Sequence, residues 1–199
     1  MKKVVVLIST IVFFILSFLI NWYSDEMFEN IFIFAIIPYI FLMIIYGILN
    51  TICFLKVFSK KEYFYLISLA LLFISTLLFF FLPFREIKVK YELDRYEEAR
   101  LEIINMIKSE ELKASDEIGN VVLPKKYKKY SSSGKVFLYQ SDENGDVIGF
   151  WVFRGMLSGS VELIYSTGGE RLIKDNETGH PIIKIKKLKD NWYYVITDY

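Results

Sequence analysis

The chain has 199 residues, 54% of them apolar, and a formal charge of +1, which leaves room for one membrane bundle and one small domain. Residues 84–199 hold 19 basic and 19 acidic side chains; that balance argues against nucleic acid as a partner, because phosphate binding needs a basic excess. The one cysteine, Cys53, lies inside an apolar run, so no intramolecular disulfide or Cys-rich zinc site is available, and burial as a small apolar side chain is expected.

The average conceals two solvents. Fifteen of the 18 Phe precede residue 85, and nine of the 10 Gly follow residue 118. The first part, residues 1–83, reads as three transmembrane helices. The richness in Lys, Ile, Phe and Tyr suggests a bacterial genome of high AT content.

Met1-Lys2-Lys3 precedes an apolar run over 4–20 that resembles the start of a signal peptide. No small-x-small cleavage site follows it, and Trp22-Tyr23 suit a membrane–water interface, so a retained span is expected. The loop 21–30 carries Asp25, Glu26 and Glu29 and no basic residue. A second span over 31–55 has 25 residues without a charge. At about 1.5 Å per residue it exceeds a ~30 Å hydrocarbon core, so a tilt or a kink at Pro38 is expected. Lys56, Lys60 and Lys61 follow, and then a third span over 64–82 that Pro83 ends.

The short loops set the expected topology. Lysines at the N-terminus and in the second loop, with none in the first, place the N-terminus in the cytoplasm and the C-terminal domain outside the cell membrane. Arg85, Lys88 and Lys90 oppose this, but a folded domain crosses largely regardless of its charge. No charged side chain or His lies inside a span, which disfavours an ion or proton path. Asn50 and Thr51 are expected to bond a neighbouring helix.

The second part, residues 84–199, reads as an α+β domain: one amphipathic helix on an antiparallel sheet of about five strands. Leu93, Tyr96, Ala99, Ile103 and Ile107 recur at helical spacing, which predicts a helix over 88–112. Glu98 and Glu102, four apart, are assigned to its solvated surface. Val121-Val122-Leu123 is a short strand or extended lead. Strands are predicted over 135–141 and 146–154, joined by a turn at Asn144-Gly145, then over 161–165, 182–188 and 192–197, with a loop over 166–181. The 146–154 strand is apolar on both faces and is placed centrally. On the 161–165 strand, Val161, Leu163 and Tyr165 lie on one face.

The sharpest charge cluster is Lys125, Lys126, Tyr127, Lys128, Lys129 and Tyr130. Four lysines interleaved with two tyrosines suit anionic lipid head groups, at about 1 kcal/mol per lysine near such a surface, or an anionic wall polymer. A solvated loop is the plainer reading.

Catalytic and metal motifs do not assemble. Asp142, Asn144 and Asp146 open like a calcium loop, but Val147 and Phe153 stand where its Gly and Glu belong. Ser133-Gly134-Lys135 lacks the first Gly and the Ser/Thr of a phosphate loop. Ser158 is one residue out of register with a hydrolase elbow. His180 is the one available base and sits in a Gly-His-Pro turn; with Asp175 and Glu177 it makes at most a weak metal site. Asn176-Glu177-Thr178 is a glycosylation sequon, relevant only in a eukaryotic secretory pathway. No cofactor is expected.

These observations favour a non-catalytic membrane protein that presents a small interaction or sensory domain outside the cell. Its partners would be the bilayer and a membrane or envelope protein. The alternative is an accessory subunit of a transport or channel complex acting through its spans. An envelope enzyme using Ser158 or His180 is the third reading.

Overall fold

The computed structural model describes residues 2–116, 119–153, 160–176 and 181–198. The chain divides into two compact units, Met1–Arg85 and Glu86–Tyr199.

The first unit is helical: α1 (Lys2–Trp22), α2 (Ser24–Ile31), α3 (Ile36–Phe54) and α4 (Tyr65–Phe81). Two of its helical stretches are long and apolar enough to cross a membrane, Lys3–Trp22 and Ile36–Ser59. The latter includes a π-helical turn, Leu55–Ser59. Helix α4 has 17 residues, or about 25 Å at 1.5 Å each, and reaches the length of a span only together with the helix after it.

Side chains in this unit are distributed inside out. Large apolar residues such as Ile8, Met43, Phe73 and Phe80 face outward, while Thr10, Ser17, Cys53, Ser68 and Ser75 are buried. That arrangement suits a lipid solvent, where small and hydroxylated residues bring helices together and apolar ones meet acyl chains. Helix α4 buries Tyr65, Ser68, Leu72 and Ser75, a three–four spacing that makes one seam. Thr10 and Ser17, seven apart on α1, are the corresponding buried positions there.

Two expectations about this unit change, and Pro38 is located. The acidic loop 21–30 is helical over most of its length as α2, since it holds no Gly or Pro to break the chain. Pro38 is the third residue of α3, directly after a 3-10 turn, Phe32–Ala35, where the helix changes form. A first-turn proline forfeits no helical hydrogen bond. Asn50 and Thr51 bond their own helix, Asn50 Nδ2 donating to Tyr46 O at 3.0 Å and Thr51 Oγ1 to Gly47 O at 2.8 Å.

Ion pairs mark two polar ends. Lys3 and Lys56 each approach Glu62 at 3.3 Å, and Arg85 grips Asp25 with Nε at 3.0 Å and Nη2 at 2.6 Å. At Pro83 the helical path stops, because Leu82 is extended (φ −78°, ψ 121°), as a residue before proline prefers.

The second unit contains α5 (Phe84–Lys108) from Glu86 onward. The helix starts and ends about four residues earlier than the periodicity implied. Pro83 is followed at once by helix, and Glu110 in the left-handed region (φ 59°) lies just past its end. Its buried residues include Val89, Leu93, Arg100, Ile103, Ile104 and Ile107.

Six strands form one antiparallel sheet: β1 (Asn120–Val122), β2 (Lys135–Asp142), β3 (Gly145–Phe153), β4 (Val161–Ser166), β5 (Ile182–Lys189) and β6 (Trp192–Thr197), in the order β1-β2-β3-β4-β6-β5. The sixth strand is β1, the short lead, which pairs with β2. Strand β3 is interior, as its two apolar faces implied. A helix, α6 (Gly169–Asp175), lies within the stretch expected to be loop.

The register separates the two faces of the sheet. Phe150, Leu163 and Tyr194 align across β3, β4 and β6 on one face. Helix α5 lies over this face: the Arg100 guanidinium is 5.9 Å from the Phe150 ring, and Lys108 meets Asp146 at 2.8 Å. Glu97 meets Lys189 of β5 at 2.5 Å, and Glu86 pairs with Lys184 and Lys186. On the other face Val147, Ile164, Tyr193 and Val195 pack with Ile173 of α6. A helix thus packs on each face.

The seam predicts an asymmetric response at Ser75. Replacement by Leu should destabilise the helical unit by about 1–3 kcal/mol through overpacking, and replacement by Ala should be close to neutral. Thermal unfolding in detergent micelles checks both.

Candidate functional site

Three groups in the second unit carry charge in places where the fold constrains it. They are the lysine-rich turn before β2, the buried Arg100 on α5, and the buried Glu162 on β4.

The turn is built by Pro124, whose carbonyl accepts the Tyr127 N–H at 2.8 Å, and by a 3-10 turn, Lys128–Tyr130. Lys125, Lys126, Lys128 and Lys129 are exposed, whereas Tyr127 is buried and Tyr130 half-buried. The Tyr127 hydroxyl donates to the Glu102 carboxylate. Lys126 Nζ donates to the same hydroxyl at 3.0 Å and lies 3.6 Å from Glu102. The hydroxyl and the carboxylate together hold the Lys126 ammonium pKa above its usual value. Tyr130 packs edge-on against Tyr96 at 5.3 Å, and Lys129 Nζ lies 5.0 Å from the Tyr130 ring centroid. The six residues singled out by sequence thus divide: the tyrosines dock the turn on α5, and the lysines make its outer surface.

Arg100 ties this turn to the helix. It is 3% exposed. Its Nε donates to Tyr130 O at 3.2 Å and its Nη1 to Glu92 O at 3.1 Å, while Nη2 is 3.8 Å from the Glu92 carboxylate. Burial lowers its pKa to about 10, partly offset by Glu92, so the group stays charged at neutral pH.

Glu162 is the most deeply buried carboxyl described, at 1% exposure. It projects from the α6-covered face of β4, aligned with Trp151 on β3 and Val195 on β6. The Tyr139 hydroxyl donates to its Oε2 at 2.8 Å. Gly149 makes room for it, since a Cβ there would stand 2.5 Å from Oε2 and 2.9 Å from the Tyr139 ring. Phe137 packs on Tyr139 at 4.6 Å and edge-on to Trp151 at 6.4 Å. Burial pushes the Glu162 pKa up from 4.5 to about 7, with the Tyr139 hydrogen bond pulling the other way. Burial also raises the Tyr139 phenol, reinforced by the neighbouring carboxylate.

Sequence reasoning pointed to the turn but singled out neither Arg100 nor Glu162. Alternation put Val161, Leu163 and Tyr165 on one face of the strand and so Glu162 on the other, the face on which Ile164 packs with Ile173 of α6. The available signal was Gly149, a glycine inside a strand, which often marks a close approach of other atoms. Asp142, Asn144 and Asp146 form a hairpin turn: Asp142 Oδ1 accepts the Asn144 N–H at 2.7 Å, and Asp146 is engaged by Ser141 at 2.8 Å and by Lys108. Ser158, Glu177 and His180, the residues of the enzymatic and weak-metal readings, lie outside the described residues, as does most of the sequon.

Compared with protein-family models, curated proteins and solved structures, the chain matches none.

Arg100→Ala should destabilise the domain by about 2–4 kcal/mol, because the carbonyls of Tyr130 and Glu92 lose a buried donor, and Arg100→Lys should restore only part of it. Denaturant unfolding reads both. For Glu162 the folded state holds the proton more tightly than the unfolded chain. Its contribution is therefore fully present below pH ~4.5 and is lost as pH rises to about 7, on the order of 3 kcal/mol at about 1.4 kcal/mol per unit. Glu162→Gln should remove that component of the pH–stability profile.

Proposed function

We propose that this is a multi-pass cell-membrane protein with three spans, a cytoplasmic N-terminus and an α+β domain outside. In this reading the domain engages an envelope or membrane partner without catalysing a reaction. The observation that carries it is the charge distribution of the first unit. Lys3 and Lys56, joined through Glu62, lie at one polar end, with Lys60 and Lys61 beside Lys56 in sequence; Asp25 with Arg85 lies at the other. The positive-inside bias supports placing the lysine end in the cytoplasm. The basic residues that argue against it carry less weight in context: Arg85 is held by Asp25, and Lys88 is buried.

The basic turn is the proposed contact surface. Lys125, Lys126, Lys128 and Lys129 would meet anionic head groups or an anionic polymer, with Tyr127 and Tyr130 as anchors of the turn and not as the contact itself.

An accessory subunit is the second reading, and one observation favours it. A cleft of about 280 Å³ opens among α1, α3 and α4, lined by residues including Phe13, Tyr39, Tyr46, Thr76 and Phe80. Side chains of a partner's span would fill such a cleft.

Topology is tested by placing a cysteine at the exposed turn residue Glu143 in a Cys53→Ala background. An impermeant maleimide should label it in intact cells, and labelling only after lysis would reverse the orientation. The contact surface is tested by replacing Lys125, Lys128 and Lys129 with Glu. Hydrogen exchange of residues 124–134 should be slower in anionic than in zwitterionic nanodiscs for the wild type, and equal in the two for the variant.

A further inference from the structure

The α6-covered face of the sheet holds a carboxyl group that the proposed binding role leaves unused. Glu162 is buried at 1% exposure between its strand neighbours, with the Tyr139 hydroxyl 2.8 Å away. Facing it are Tyr139 from β2, Gly149 and Trp151 from β3, and Val195 from β6, with Tyr193 the next side chain along that face of β6. Ile173 and Leu172 are the residues that α6 contributes to the apolar cluster on this face. The charged residues of α6 are satisfied among themselves at the surface, Lys174 with Glu170 at 2.7 Å and Arg171 with Asp175 at 3.5 Å. Among the described residues named here, the titratable group that meets the carboxyl is the Tyr139 hydroxyl.

Tyr139 belongs to both systems. Its hydroxyl donates to Glu162, and its ring packs against the cluster of Val147, Ile164, Ile173, Tyr193 and Val195 that seats α6. Helix α6 has seven residues, too few to persist without that seat. A carboxylate formed beside Tyr139 calls for water or a cation, and admitting either disturbs the packing of Tyr139 against the α6 cluster.

We propose that Glu162 makes this face a proton-operated switch: with the carboxyl protonated α6 is docked, and with the proton lost the carboxylate admits water, Tyr139 shifts, and α6 loosens from the sheet. The ligand sensed is the proton. The transition falls near neutral pH, where an external domain meets changing conditions. This biological use rests on the external placement proposed above; the switch itself does not.

The test is hydrogen exchange by mass spectrometry on the full chain in nanodiscs at pH 5.5 and pH 8.5, corrected for intrinsic exchange. Residues 169–175 should exchange about tenfold or more faster at pH 8.5, while residues 89–107, on the opposite face, stay unchanged. Glu162→Gln should give slow exchange in α6 at both pH values. Tyr139→Phe, which removes the donor favouring the carboxylate, should move the transition to higher pH. Equal α6 exchange at the two pH values in the wild type would overturn the proposal, as would a pH response that persists in Glu162→Gln. An inverted topology would leave these exchange results intact, so the two failures are distinguishable.

Discussion

Arg85 presents its guanidinium edge to both oxygens of Asp25, and Asp25 is 6% exposed. Two-point recognition of this kind fixes direction as well as distance. Its consequence is structural. Asp25 lies in the helix after the first span, and Arg85 is the last residue of the first unit. The pair therefore holds the end of α4 beside the end of α1. Pro83 breaks the helical path between them and lets the chain leave the apolar unit within four residues of Phe81. A buried carboxylate without this partner would cost several kcal/mol, so the length of the third apolar helix and the packing of α2 are set together.

The second unit solves a different problem. Helices pack on both faces of its sheet, and each side holds a deeply buried charged residue, Arg100 on one and Glu162 on the other. Arg100 remains ionised because backbone carbonyls and Glu92 surround it, and its role is to clasp the lysine turn to α5. Glu162 accepts from the Tyr139 hydroxyl, and burial pushes its pKa up to about 7. Two charges in one small domain thus have opposite characters, one a fixed clasp and the other a titrating group. The difference follows from their hydrogen-bond partners, since both are almost fully buried.

Much of the architecture was legible in the residues. The apolar runs, the break at Pro83, the α+β character and the interior position of β3 all follow from periodicity and from where Gly and Pro stand. What escaped was set by tertiary contact. Seven residues beginning at a Gly-Gly pair look like a loop, and α6 exists because Leu172 and Ile173 find an apolar seat on the sheet. Without α6 in view, nothing in the residues singles out Glu162. Residues 121–123 read as a short strand or extended lead, and pairing with β2 makes 120–122 the former. The basic cluster was visible as charge, but the inward direction of Tyr127 and Tyr130 depends on Glu102 and Tyr96 from a distant part of the chain.

The Asp25–Arg85 pair is the part of this account on which the first unit depends, and a double-mutant cycle measures it directly. Asp25→Asn, Arg85→Gln and the double variant would be unfolded thermally in the same detergent. The predicted result is a coupling of about 1–3 kcal/mol, with the double variant less damaged than the two single losses combined imply. Strictly additive losses would contradict the claim that this pair sets where the membrane unit ends.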